Sequence, residues 1–207
     1  MDEEKAVLEF FAQAENLPLA LSVANQIDAM RAQMNSRFWQ DLKQRIDALL
    51  GKHAPDWQTE IIEDRSDAKL LLGLQCKLRK AQPNCLFPML EQQHMGGKWR
   101  IFFGLMWQGT PTPAELSLHA VVRLRQALYD AGFKSNEHFI AWRWTDFYPR
   151  HSNFLLDYAK QPGKLLDEAE GLFRTLLPDQ SELISQANAS LKAAPTIITL
   201  VPKEQNN

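Results

Sequence analysis

The chain reads as an α+β domain, with a mixed or antiparallel sheet of about four to five strands, helices packed mainly on one face and a long N-terminal helix. Three observations predict this. Apolar residues recur every three or four positions from residue 18 to residue 50. The period changes to that of strands between residues 57 and 107, and helical spacing then dominates the remainder.

Residues 3–15 form an amphipathic helix with Val7, Leu8, Phe10 and Phe11 on its apolar side. Asn16 caps a second helix that has Pro18 in its first turn. Its stripe of Val23, Ile27, Met30, Met34, Phe38, Leu42, Ile46 and Leu49 runs to Gly51, a suitable stop, and Asn35-Ser36 offers a point of division. After the Pro55-Asp56 turn, 57–63 and 70–77 read as strands of a hairpin around the polar link 64–67. Segment 78–97 holds two prolines and ends in the turn His94-Met95-Gly96-Gly97. That turn leads into 98–107, the strongest strand and apolar enough to be central.

Thr112-Pro113-Ala114-Glu115 opens the next helix with a capping-box pattern, and Gly132 terminates it; Leu116, Ala120, Leu124 and Leu128 should face the sheet. Residues 139–145 are a strand and 155–177 are mostly helical. Pro178 separates a last helix over roughly 181–193, and 196–201 adds an edge strand. The organisation is therefore a helical region over 1–51, joined in one domain to an α+β core over 52–201, and a tail over 202–207.

Hydrophobic residues make up 45% and charged residues 23% of the 207, an ordinary globular composition that excludes a disordered or fibrous chain. A formal charge of −2 supplies no global field for a nucleic-acid backbone or an anionic membrane, so such binding needs a local patch. Cys76 and Cys85 are too few for a disulfide scaffold and form no CxxC pair, which points to a reducing compartment. The acidic start Met1-Asp2-Glu3-Glu4-Lys5 is unlike a signal peptide, and no apolar run reaches the roughly 18 to 20 residues of a membrane span. A cytoplasmic protein without membrane contact is expected. The histidines at 53, 94, 119, 138 and 151 lack ligand spacing, and Glu91 and His94 have no third ligand. Neither a nucleophile elbow nor a glycine-rich phosphate loop is present, and Cys76, in an apolar strand, is expected to be buried and inert.

Three segments carry possible function. In the first, Pro55-Asp56 is followed by Gln75-Cys76-Lys77, with Gln75 and Lys77 on one face of a strand. With the order of helices and strands, this resembles the PD-(D/E)XK nuclease superfamily, in which an acid and an E/Q-x-K triplet sit on adjacent strands. The resemblance implies that Asp56 and the Gln75 carbonyl oxygen hold Mg²⁺, that Glu60 is a further ligand, and that Lys77 orients or activates water. A hairpin turning near residues 65–66 would set Asp56 across from about Cys76. In that superfamily the triplet belongs to the third strand, which here contains no carboxylate, so Glu60 or Glu63 would have to substitute. The competing reading has Asp56 capping a turn and Gln75 and Lys77 facing solvent. More broadly, Arg37-Phe38-Trp39-Gln40-Asp41-Leu42, the strand 98–104 and Leu155-Leu156-Asp157-Tyr158 look like regions downstream of the nuclease core in bacterial proteins of that superfamily, often linked with prophage or defence loci.

The second segment is Trp142-Arg143-Trp144-Thr145-Asp146-Phe147-Tyr148-Pro149-Arg150-His151. Rings interleaved with arginines stack bases and contact phosphates. Arg143, Trp144 and Arg150, with Lys98 and Arg100, are the nucleic-acid-binding candidates; the competing reading puts Ile140, Trp142 and Trp144 on one core-facing side with Arg143 pointing away. The third is the stripe of Ile27, Met30 and Met34, which suits a partner helix or self-association through helix 18–50 as well as the core. Together these lead us to expect a non-catalytic interaction or recognition module needing no cofactor. The alternative is a divergent metal-dependent nuclease using Asp56, Gln75 and Lys77, with Asp56 and Glu60 holding Mg²⁺.

Overall fold

In a computed structural model, residues 3–64 and 71–194 are described. The chain begins with α1 (Glu3–Phe11) and α2 (Leu17–His53). Asn16 does not cap α2 through its side chain; its Nδ2 donates instead to the Phe10 carbonyl at 3.0 Å, tying the turn to α1. Nor does α2 divide at Asn35-Ser36. Asn35 is buried inside the helix, and its Nδ2 donates to the Leu71 carbonyl at 2.9 Å, so the amide nitrogen is bound across the core and does not compete for helix backbone, while its Oδ1 is buried without a partner among the described residues. Gly51 lies within the helix, which ends two residues later, and Ala54 N–H closes it on the Leu50 carbonyl.

Five strands follow: β1 (Trp57–Glu63), β2 (Leu71–Leu78), β3 (Leu86–Met95), β4 (Lys98–Trp107) and, after a pair of helices, β5 (Phe139–Trp144). They form one antiparallel sheet in chain order. The segment 78–97, which its two prolines mark as a connection, in fact supplies β3. Pro88 is tolerated because the β2–β3 ladder pairs only Gly73–Gln75 with Met89–Glu91 and has ended where the proline stands. Gly96 and Gly97, at φ 55° and 80°, make the two-residue turn into β4.

The helix expected after Thr112 splits into α3 (Pro113–Leu116) and α4 (His119–Asp130), and the Thr112–Glu115 capping box is formed. On α4 the buried face is Val121, Leu124 and Leu128. The helical stretch after β5 starts at Ser152 and divides at Pro162 into α5 (Ser152–Lys160) and α6 (Pro162–Arg174); α7 spans Ser181–Ala193. The expected edge strand at 196–201 lies outside the described residues. No helix among the described residues is long and apolar enough to cross a membrane.

One face of the sheet is buried against helices. Phe38, Trp39, Leu42 and Ile46 of α2 join Leu74, Leu90, Ile101, Phe103 and Leu105 of the sheet, Val121 and Leu124 of α4, and Phe173 and Ile184 of α6 and α7 in one hydrophobic cluster. Phe38 sits at its centre, edge-on to Trp39, Phe154 and Tyr158. Phe102 and Met89, from the opposite pleat, are buried but stand outside this cluster. The second face therefore carries its own row of cross-strand neighbours: Ile62 beside Gly73, Gly73 beside Glu91, Glu91 beside Phe102, and Phe102 beside Trp144.

Among the described residues β1 is an edge strand, and α2 packs along it. Asp47 Oδ1 accepts from the Thr59 hydroxyl at 2.5 Å and from its amide at 3.3 Å, and the carboxylate pairs with Lys43. Partial burial pushes the Asp47 carboxyl up, but the hydrogen bonds from Lys43 and Thr59 and the Lys43 charge outweigh it and hold the group below the usual carboxylate range. A depressed carboxyl stabilises the fold above its unfolded pKa and loses that contribution as pH falls through the folded value. Asp47→Ala should therefore cost about 1 kcal/mol at neutral pH by urea titration, and the gap to wild type should narrow below about pH 4; a gap independent of pH would contradict this account.

Gly104 is a second constraint. A Cβ there would lie 2.3 Å from the Ala141 carbonyl oxygen and 2.9 Å from the Trp142 Cβ. Gly104→Ala must push β4 and β5 apart, so its urea midpoint should fall by the equivalent of about 2 kcal/mol or more. A midpoint within error of wild type would mean that the close approach is not real.

Candidate nucleic-acid interface

The five nucleic-acid candidates do not all meet. Between Ala141, opposite Leu105, and Phe139, opposite Met106, Ile140 is left over as a bulge. The extra residue changes the alternation, so Ile140 stays in the core cluster while Trp142 and Trp144 emerge on the other face, beside Gly104 and Phe102. The expectation that Ile140, Trp142 and Trp144 share a core-facing side is thus corrected by one inserted residue. Arg143 is turned toward the helices, where its guanidinium lies 4.8 Å from the Phe103 ring and 4.7 Å from the Phe133 ring and donates to the Ala131 carbonyl.

Lys98, Arg100 and Trp144 do meet around the start of β4, on the face away from the helices, whereas Arg150 packs on Trp99, which stands on the other pleat with Ile101. The chain after β5 is folded back over this end of the sheet: Thr145 N–H and Oγ1 both donate to the Ile101 carbonyl at 2.9 and 2.8 Å, and Ile101 N–H donates to the Phe147 carbonyl. That return brings Tyr148 beside the cations. Arg100 lies 5.6 Å from the Trp144 ring centroid and 5.5 Å from that of Tyr148; Lys98 is 6.0 Å from Tyr148; Arg150 is 5.1 Å from Trp99. Arg100 Nε donates to the Thr145 carbonyl at 2.7 Å, which fixes the guanidinium plane, and a terminal nitrogen reaches the exposed Asp146 at 3.1 Å. Trp142 and Trp144 are in edge contact at 6.0 Å, and Trp144 packs edge-on to Phe102.

The rings of Trp99, Trp142, Trp144 and Tyr148 are half-buried, and Trp99, Trp144 and Tyr148 each lie against a cation. Their arrangement can stack planar groups and neutralise anions side by side. On one flank Lys98 and Tyr148 open into a cleft of about 500 Å³ that is also lined by Asp146, Asp157 and Glu168. Asp157 and Glu168 repel phosphate from the cleft, and an anion that reaches Arg100 takes the place of Asp146. Glu91, in line with Phe102 on the same face, has its carboxyl raised by burial despite a hydrogen bond from Gln93. Trp99 is not among the residues the sequence singles out; the signal for it is its position between two cations, Lys98 and Arg100, at a strand end.

The nuclease candidates separate differently. Thr59, and not Asp56, lies opposite Cys76, because the pairing register is offset by three residues from the expected one. Asp56 stands before β1 with its carbonyl accepting from Arg79 N–H at 2.8 Å. Glu60 lies opposite Gln75, and its carboxylate is 2.5 Å from Lys77 Nζ and 3.4 Å from Gln75 Nε2. Glu60, Gln75 and Lys77 therefore meet, while Asp56 is four residues from Glu60, about 13 Å along an extended strand. Asp56 and Glu60 do not fit one Mg²⁺, whose ligands sit at about 2 Å, and the Glu60 charge is already met by Lys77. Among the described residues no three His, Cys, Asp or Glu side chains are grouped to hold a metal ion. Cys76 is buried, and burial pushes its thiol up, away from the reactive thiolate.

Compared with known proteins, the chain matches no family model, no curated protein and no solved structure.

Arg143 and Arg100 are each held by two rings and a backbone carbonyl. Arg143→Ala and Arg100→Ala should each lower stability by about 1 kcal/mol. Thermal or urea unfolding of the two variants checks this, and a midpoint within error of wild type for either would refute the assignment.

Proposed function

We propose that this is a non-catalytic recognition module that binds single-stranded nucleic acid at the β4–β5 end of its sheet. The observation that supports it is the Arg100 guanidinium lying against both the Trp144 and the Tyr148 rings, with Lys98 alongside Tyr148. Bases stack on rings of this kind without regard to sequence, and each stack is worth about 1–3 kcal/mol. One or two phosphates would lie against Lys98 and Arg100. Duplex is disfavoured because its bases are already stacked on one another and offer the rings no open face. The likeness of 37–42, 98–104 and 155–158 to regions downstream of nuclease cores supports an accessory role, in which the module holds a strand that another part cleaves.

Fluorescence anisotropy with labelled oligo-dT and oligo-rU of 12 nucleotides tests this reading. Single strands are expected to bind, with log K falling against log[salt] at a slope of about −1.4 for two phosphate contacts. Trp144→Ala combined with Arg100→Ala should weaken binding at least about tenfold, and EDTA should leave it unchanged. An absence of wild-type binding, or affinity unmoved in the double variant, defeats the proposal. Strand cleavage that requires Mg²⁺ and is lost in Lys77→Ala would favour the nuclease alternative.

A further inference from the structure

The chain leaving α4 builds a concavity beside β5. Gly132, at φ 84°, turns out of the helix, and the Phe133 N–H closes on the Leu128 carbonyl at 3.0 Å. Lys134 then pairs with β5, its N–H donating to the Trp142 carbonyl at 2.9 Å and its own carbonyl accepting from the Trp142 N–H at 2.7 Å. Between this segment, α4 and β5 lies a cavity of about 280 Å³, close to the lower end of the range for ligand pockets. Phe133, Ile140 and Ala141, at 3, 3 and 1% exposure, line its depth. Phe133 is itself fixed by edge contact with Phe103 and by the Arg143 guanidinium, so the floor is set by core packing.

The walls differ from the floor. Arg125 and Tyr129, one turn apart on α4, and Lys134 and Ser135, beside β5, rise around it. Among the described residues neither the Arg125 nor the Lys134 side chain makes an ion pair or a hydrogen bond. The Tyr129 ring is 67% exposed and meets no other ring or cation there. No carboxylate of the described residues lines this cavity, in contrast to the cleft beside Lys98. Asp130, the one acid of α4, accepts from Gln126 Nε2 at 2.8 Å, and Arg143 offsets the negative end of the helix by donating to the Ala131 carbonyl.

We propose that this cavity binds a nucleoside monophosphate, with the phosphate on Arg125 and Lys134 and the base against Tyr129 and the Phe133 floor. Charge selects the phosphate. A phosphate monoester carries about −1.5 to −2 at neutral pH, which two cations neutralise, whereas a carboxylate or a phosphodiester leaves one of them unmatched. The interior of a nucleic-acid strand is therefore disfavoured, and the group comes from a free mononucleotide or from a phosphorylated strand end. An apolar floor beside an open aromatic ring suits a planar base. Gln126, whose amide nitrogen is committed to Asp130, keeps its carbonyl oxygen as an acceptor for an exocyclic amino group such as that of adenine. The site lies away from Arg100 and stands without the strand-binding reading.

Calorimetric titration of the full chain with AMP, adenosine and inorganic phosphate tests this. AMP is expected to saturate with Kd on the order of 0.1 mM, and adenosine or phosphate alone to bind at least about tenfold more weakly. Arg125→Gln with Lys134→Gln should weaken AMP binding at least about tenfold, and Tyr129→Ala about fivefold or more. The thermal midpoint should hold in each, because all three side chains are exposed. Trp144→Ala with Arg100→Ala should leave AMP affinity unchanged. If oligo-dT with a 5′-phosphate binds more tightly than its 5′-hydroxyl form, and Arg125→Gln with Lys134→Gln abolishes the difference, the source is a strand end; equal affinities, or no strand binding at all, name the free mononucleotide. The proposal is overturned by an absence of saturable AMP binding up to about 5 mM, by adenosine binding as tightly as AMP, or by AMP affinity unmoved in the double glutamine variant. So is it by AMP binding that is lost only with Arg100 and Trp144, which puts the nucleotide at the β4–β5 end.

Discussion

The pleat of the sheet, loaded with helices on one side, is the constraint from which the rest follows. Successive strand residues point to opposite faces, so each strand delivers two sets of side chains with different fates. On β4, Ile101, Phe103 and Leu105 enter the helix-covered core, and Arg100, Phe102 and Gly104 take the other side. Among the described residues, no helix covers a ring on that second side, which is dried by its neighbours. Phe102 reaches 4% exposure in this way, between Phe139 and Trp144. The outermost rings of such a patch stay partly open, and they are the ones that lie beside cations.

What makes the rim more than a greasy edge is the way Arg100 is held. Its Nε hydrogen bond to the Thr145 carbonyl and its contact with two rings remove most of its rotamer freedom before any ligand arrives. Its ion pair with Asp146 does not oppose ligand binding strongly. Asp146 is 97% exposed, and surface pairs of that kind contribute between nothing and about 1 kcal/mol. A phosphate can take the carboxylate's place at small cost. Thr145 is itself fixed by two bonds to the Ile101 carbonyl, so the site is positioned by strand geometry and not by a loose loop.

Much of this was legible in the sequence, for physical reasons. The α+β class, the long second helix, β1, β2, β4 and β5, and the capping box at Thr112 all announce themselves through period and cap chemistry, which are local. What escaped was non-local. β3 was hidden by Pro88, whose placement is acceptable only because a neighbouring ladder stops beside it. Asn35 looked like a break because its partner, the Leu71 carbonyl, is 36 residues away in sequence. The faces of β5 were inverted by the bulge at Ile140, and a one-residue change of register exchanges every side chain. Asp56 fell out of line with Gln75 and Lys77 for the same kind of reason, since the register of a strand pairing cannot be read from composition.

The two halves of α2 show how an exposed helix can persist with little packing of its own. An isolated helix of about 18 residues is marginal in water because its first turn is unfavourable to form, whereas each later residue adds a hydrogen bond for the order it loses. Here the first turn need never form alone. Phe38, Trp39, Leu42 and Ile46, all at 0% exposure, hold the distal half in helical geometry, and residues 34 back to 17 extend a helix that already exists. Packing of the core thereby fixes the conformation of a stretch it does not cover. Met34 is the last side chain of that stretch to touch the core, and the residues before it are displayed at fixed helical intervals without core packing of their own.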